Sequence, residues 1–289
     1  MSKREFSHSR PLESGSRAAL SYFWASACDL RLLNFVTDTV LTGDYGMRVL
    51  QDALDGKDGY KEFDPVKLAK NEPGPRTQAF RDSRQEFIEM FLSRAVDNFQ
   101  VYVVEILREV LHKQPRILSS SKQELTLGYV LQFDSIDSLT KDWIEGKVAS
   151  LSYDGFGDLE DWCQSRGIPI LVPEGKREHI VELIATRNLI VHNRGIVDER
   201  YRKAVPATKF ETGKQRALEV EDLLSAKDLL DYVVNATDGA VSAKFGLPQV
   251  EVRAEVSARS QKRWPRRSSN RPQPETQSLP SAPSEGGGG

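Results

Sequence analysis

The chain has 289 residues, enough for one large domain or two modest ones. Its 39% apolar and 28% charged composition is that of a globular protein, which excludes collagen-like, disulfide-scaffold and wholly disordered chains. The formal net charge of −2 conceals an asymmetry: seven Arg or Lys against four Glu put residues 250–289 at +3 and leave the rest at −5, so no global basic balance marks a nucleic-acid binder.

Cys28 and Cys163 are too few for a disulfide framework and too far apart for a metal knuckle, which points to a reducing cytoplasm. No apolar run approaches the roughly 18 residues of a membrane span, so no membrane association is expected. Residues 18–28 follow a basic start and end on small residues and Cys28, faintly like a lipoprotein cleavage site. Glu5 and Glu13 upstream, and apolar spacing that continues through Leu30, Leu33, Phe35 and Val36, favour an amphipathic helix there instead.

In chain order, residues 1–16 are polar and read as a disordered lead-in. Residues 17–80 form an N-terminal helical segment, with two helical patterns over 17–56 broken at Thr42-Gly43-Asp44 and a boundary at Asn71-Glu72-Pro73-Gly74-Pro75. The strongest helix follows. Ser83 with Glu86 offers a capping box, and apolar pairs from Phe87/Ile88 to Val110/Leu111 recur every three to four residues until Pro115, about 28 residues in all. Shorter helices are expected over 136–146 and 158–166, the second stopped by Gly167. Two more cover 174–192 and 221–245, the last ended by Gly246 and Pro248. A short extended stretch is open for 211–220. Residues 247–289, rich in Ser, Pro, Arg and Gly, read as a disordered basic tail. No strand alternation persists long enough to build a sheet, so the fold class is all-α, a helical bundle.

Of the four histidines, His8 falls in the lead-in, His112 in the last turn of the long helix, where a cation is favoured anyway, and His179 near a helix start. No His pair has metal-ligand spacing and no glycine-rich phosphate loop occurs, so neither a metal nor a nucleotide cofactor is indicated. That leaves Ala185 to Tyr201, ATRNLIVHNRGIVDERY, where Arg187 precedes His192 with four residues between. With arginine so common here, about one such spacing arises by chance.

The context goes further than the spacing. Arg187, Asn188, Val191, His192 and Gly195, followed by Ile196, Val197 and Asp198, resemble the R-N-x-x-V-H-x-x-G run of HEPN-domain proteins from bacterial defence and abortive-infection systems. Asn188 takes the polar place after the Arg. The similarity maps to residues 81–246 and implies a HEPN-like helical domain there, with 17–80 as an extra segment outside it. Where some relatives carry R-x4-H-x-Y, this chain has Arg194 in the place of Tyr, unlike the subtype paired with nucleotidyltransferase antitoxins.

The resemblance implies a metal-independent endoribonuclease with Arg187 and His192 as catalytic residues and Asn188 in support. It also implies RNA as substrate, a homodimer, and a role as toxin or phage-defence effector with an antitoxin or defence-system partner. The residue chemistry agrees: cutting RNA without metal needs a base for the 2′-hydroxyl, an acid for the leaving 5′-oxygen and a cation for the phosphorane, and His and Arg supply these. Residues five apart on a helix project about 140° from one another, so one copy of Arg187 and His192 does not converge. In the family two protomers face each other to complete the cleft. Arg194 and the cluster Lys262, Arg263, Trp264, Arg266, Arg267 are weaker candidates for phosphate contact and base stacking. The bland alternative is a non-catalytic helical interaction module binding a partner protein or nucleotide. In it Arg187 pairs with an acid and His192 is merely a helix C-terminal cation.

Overall fold

The computed structural model describes residues 11–57, 65–119, 125–153 and 155–263. Among the described residues the chain is all-α, with two isolated β-bridges and no extended strand. The helices are α1 (Arg17–Leu54), α2 (Pro65–Asn71), α3 (Pro75–Asp82), α4 (Arg84–Lys113), α5 (Leu127–Val130), α6 (Ile136–Tyr153), α7 (Phe156–Ser165), α8 (Arg177–Asn193), α9 (Glu199–Ala204), α10 (Val220–Phe245) and α11 (Val252–Arg263). None of them is long and apolar enough to cross a membrane.

α4 is the axis of the molecule. Its apolar positions are dense enough to face neighbours on several sides, and α1, α10, α6 and α8 all pack on it. Val96, Phe99 and Val110 are fully buried, and they share one core with Ala19 and Phe23 of α1, Ile180 of α8 and Leu230, Val233 and Val241 of α10. The N-terminal segment is thus no separate layer, since the first turns of α1 complete the same core as α4 and α10.

Five expectations are corrected. α1 runs unbroken through Thr42-Gly43-Asp44. The turn-forming side chains there are spent otherwise: Thr42 donates to the Asp38 carbonyl one turn back, and Asp44 accepts the Arg76 and Thr77 N–H groups at 3.2 and 2.7 Å, capping α3 instead of ending α1. Ser83 makes no capping box. It is at once the last residue after α3 and the first before α4, and its side chain caps neither helix. Residues 211–220 form no strand, only a bridge between Gln215 and Ile196. The supposed unstructured tail from residue 247 contains α11, whose Val252 and Val256 are buried against α1, and the chain reaches it through a bridge between Gly15 and Val250. α6 also runs seven residues past the expected end at Gly146, to Tyr153, because Val148 and Leu151 are buried and carry its packing onward, whereas the ends of α4, α7, α8 and α10 fall within a few residues of the sequence signals. Gly246 ends α10 at φ +61°, with its N–H and that of Leu247 returning to the Ser242 carbonyl.

Candidate functional site

α8 places its residues on two faces. Ile180 and Leu183 enter the main core beside α4, while Leu189 joins Val197 and Tyr201 in a smaller cluster where α9 folds back. The reversal after α8 is tight. Arg194 at φ +52° and Gly195 at φ +74° are consecutive left-handed residues, and a side chain at 195 would collide with Glu89 and Gln215. Hydrogen bonds from Arg216 N to Gly195 O and from Val197 N to Lys214 O then pin the following segment, which ends on the Asp198 cap of α9.

Arg187 lies on the face toward α4. Its Nε donates to Asp97 Oδ1 at 2.7 Å and its Nη1 to Asn188 Oδ1 at 3.1 Å, and its side chain is 25% exposed. His192 is exposed on the opposite flank, as the 140° offset requires. One turn apart, Asn188 and His192 line a cavity of about 240 Å³ whose other walls include Asp198, Arg200 and Tyr201. Arg187 is not one of its walls and reaches the cavity only through Asn188. The structure therefore places Asn188 between the other two: it lines the cavity with His192 and accepts from Arg187, while Arg187 and His192 themselves stay apart.

The wall behind the cavity is rigid for an electrostatic reason. Arg216, 7% exposed, donates from Nε to the Tyr201 hydroxyl at 3.0 Å and from Nη2 to Glu182 Oε1 at 2.8 Å, and it stacks on Phe210. Burial opposes its charge, yet Tyr201 and Glu182 together hold its pKa above the ordinary guanidinium value. His179, the other histidine on α8, is half-buried, and burial lowers its pKa despite the Glu182 carboxylate. Three turns and more from His192, it takes no part in the cavity.

Of the other candidates, Arg194 is exposed at the helix end, where its carbonyl accepts from Gln215. Lys262 and Arg263 are exposed at the end of α11, the helix that packs on α1. Trp264, Arg266 and Arg267 lie outside the described residues. Sequence reasoning missed two side chains. Arg200 is the cation that lines the cavity, but it falls after His192, outside any Arg-before-His spacing. Asp97 sits ninety residues before Arg187, and nothing local marks it as the arginine's partner. The only signal within reach was Asp198 three residues before Tyr201, an N-cap that forecasts α9 and so places Arg200 beside α8.

Chemically, the cavity offers an accessible imidazole for proton transfer, a permanent cation across from it, and an amide that can hold either a phosphate oxygen or a ribose hydroxyl. Asp198 is committed to the Tyr201 N–H at 2.8 Å. No family model, curated protein or solved structure matches the chain.

Proposed function

We propose that the chain is a metal-independent endoribonuclease of HEPN type that acts as a homodimer, as a toxin or phage-defence effector in the cytoplasm. The observation that carries the reading is the solvent-reachable cavity in which His192, Asn188 and Arg200 converge. In this reaction a neutral His192 takes the proton of the ribose 2′-hydroxyl, O2′ attacks phosphorus, and the P–O5′ bond breaks. The protonated His192 of the second protomer returns a proton to O5′, and a 2′,3′-cyclic phosphate is left. Arg187 and Arg200 offset the charge gathering on the phosphorane oxygens. Two copies are needed because Arg187 and His192 point apart. Support for the dimer comes from exposed apolar side chains in the motif and beside its ion pair: Val191 on α8, 51% exposed, and Met90 and Val101 on α4, 43% and 53% exposed, two turns and one turn from Asp97. The defence role and any antitoxin rest on the family resemblance alone.

A second reading, a non-catalytic module that binds a partner through this face, is favoured by one observation: Arg187 is already engaged by Asp97 and stands outside the cavity. Incubating the purified protein with single-stranded RNA in excess chelator separates the two. The enzyme reading expects cleavage with cyclic phosphate ends, lost by about 10² to 10⁴ in His192→Ala with melting unchanged. Cleavage that requires magnesium and leaves 5′-phosphates would overturn it, as would a fully active His192→Ala.

A further inference from the structure

Arg187 is held by Asp97, and the proposed reaction gives Asp97 no role. We propose that Asp97 is a positioning residue, which holds the Nε edge of Arg187 so that its Nη edge is presented to a phosphate of the bound RNA strand. The inference rests on the reading of α8 as an RNA-binding helix.

Three observations carry it. First, the carboxylate takes Nε at 2.7 Å and leaves both Nη groups to other partners. A guanidinium binds a phosphate best through two N–H groups in its plane, and a carboxylate on Nε fixes that plane without consuming the Nη pair. Second, Nη1 donates to Asn188 Oδ1 at 3.1 Å, and Asn188 lines the cavity with His192, so the Nη edge is turned toward a residue that borders the cavity. Third, Asp97 comes from α4, whose neighbouring residues Val96 and Phe99 are fully buried in the core. The anchor is therefore set on a helix packed into the core, whereas Arg187 left alone would have the full rotamer freedom of a long side chain. The pair is partly solvent-exposed, 25% and 43% at its two side chains, and such a pair adds little to stability. Its value lies in orientation.

The test uses the full-length protein and three variants, Asp97→Ala, Asp97→Asn and Asp97→Glu. Each is assayed for cleavage of one single-stranded RNA in chelator, for melting temperature, and for the Arg187 Nε–H signal in a nitrogen-15 spectrum with a 2′-O-methyl RNA of the same sequence, which binds but cannot be cut. The expected result is a kcat lower by about 10- to 100-fold in Asp97→Ala, with KM and melting little changed and partial recovery in Asp97→Glu. The uncleavable RNA shifts the Arg187 signal in the wild type and not in Asp97→Ala. If the wild type cleaves and Asp97→Ala matches it in kcat and KM, the positioning role is overturned and the ribonuclease reading stands. Should the wild type fail to cleave while its Arg187 signal still responds to RNA in an Asp97-dependent way, the positioning role holds and the ribonuclease reading falls. No cleavage and no response would remove both.

Discussion

The two halves of α1 are one continuous helix with opposite surroundings. Over its first turns Ala18, Ala19, Tyr22 and Phe23 are at most 3% exposed, and the polar groups around them are buried or half-buried. Ser16 donates through its N–H and hydroxyl to Asp238, the Ala18 N–H donates to Glu109 at 2.7 Å, and the Tyr22 hydroxyl donates to Asp231, which also receives Lys227. Beyond Leu33, which still packs on the core, the helix leaves it. Phe35, Met47, Leu50 and Leu54 are 53–79% exposed, and the polar anchors include Asp44, which accepts from the Thr77 N–H of the short α3, and Arg48, which pairs with Glu72. The inner half is held by α4 and α10, whereas the outer half is held by two helices of seven and eight residues that α1 itself must support. Helical continuity says nothing about shared stability: the ladder of backbone bonds can be unbroken across a border where cooperativity ends.

The largest test of this contrast is a pair of truncations. Phe23→Ala should cost about 3–5 kcal/mol, since it empties a ring site in the packed core. Leu50→Ala should stay within about 0.5 kcal/mol in chemical denaturation, because that side chain is 53% exposed already. Comparable losses at both sites would show that the outer half is part of the cooperative unit. Next in size is Asp238→Ala, which strands the Ser16 N–H and hydroxyl in a site with no access to water. A loss of about 1–3 kcal/mol is expected, read from the same denaturation curves.

The contrast also explains what could be read without a structure. α4, α8 and α10 were legible because amphipathic spacing survives over many turns, and α10 has an unambiguous stop in Gly246. At Gly43-Asp44 the local signal for a turn is genuine, and only the distant N–H groups of Arg76 and Thr77 convert Asp44 from a helix breaker into a cap for another helix. α11 failed for the converse reason. Its composition is that of a tail, and its buried residues Val252 and Val256 are too few to make a visible pattern, while the contacts that hold it, such as Arg253 to Glu13, come from the far end of the chain. At the site, Arg187, Asn188 and His192 were visible as a pattern, but Asp97 and Arg200 reach them only through packing of α4 and α9 on α8.

Acid should sharpen the difference between the halves, since their carboxylates are shifted in opposite directions. Burial raises the pKa of Asp238, Asp231 and Glu109 above the ordinary carboxylate value, outweighing the hydrogen bonds each accepts. The folded chain then binds more protons than the unfolded one between the ordinary value and the raised one, so these groups add stability as pH falls through that window. At Asp44 burial also opposes ionisation, but hydrogen bonding at Thr77 and Arg76 wins and lowers the pKa. Its contribution is present above the ordinary value and is lost as pH falls below it. Lowering the pH from neutral toward about 4 should therefore raise the melting temperature by less in Asp238→Asn than in the wild type. Below that range, amide exchange at Thr77 should accelerate before exchange in α4 and α10. An Asp238→Asn variant with the wild-type slope would place the source of any acid stabilisation elsewhere.

The smallest effect is the most discriminating about where cooperativity ends. Gly46 sits inside the outer half of α1 with helical backbone, and a methyl group added there meets nothing within 4 Å. Gly46→Ala should then stabilise the local helix by roughly 0.5–1 kcal/mol, through backbone entropy removed from the unfolded chain. If the outer half melts on its own, this gain appears as slower amide exchange over residues 40–54 while the global melting temperature stays at the wild-type value. If instead the whole of α1 unfolds with the core, the same substitution raises the global midpoint by a degree or more and leaves local exchange in proportion to it. The second outcome would remove the border after Leu33, since a methyl group without contacts can reach the core only along a helix that unfolds as one piece with it.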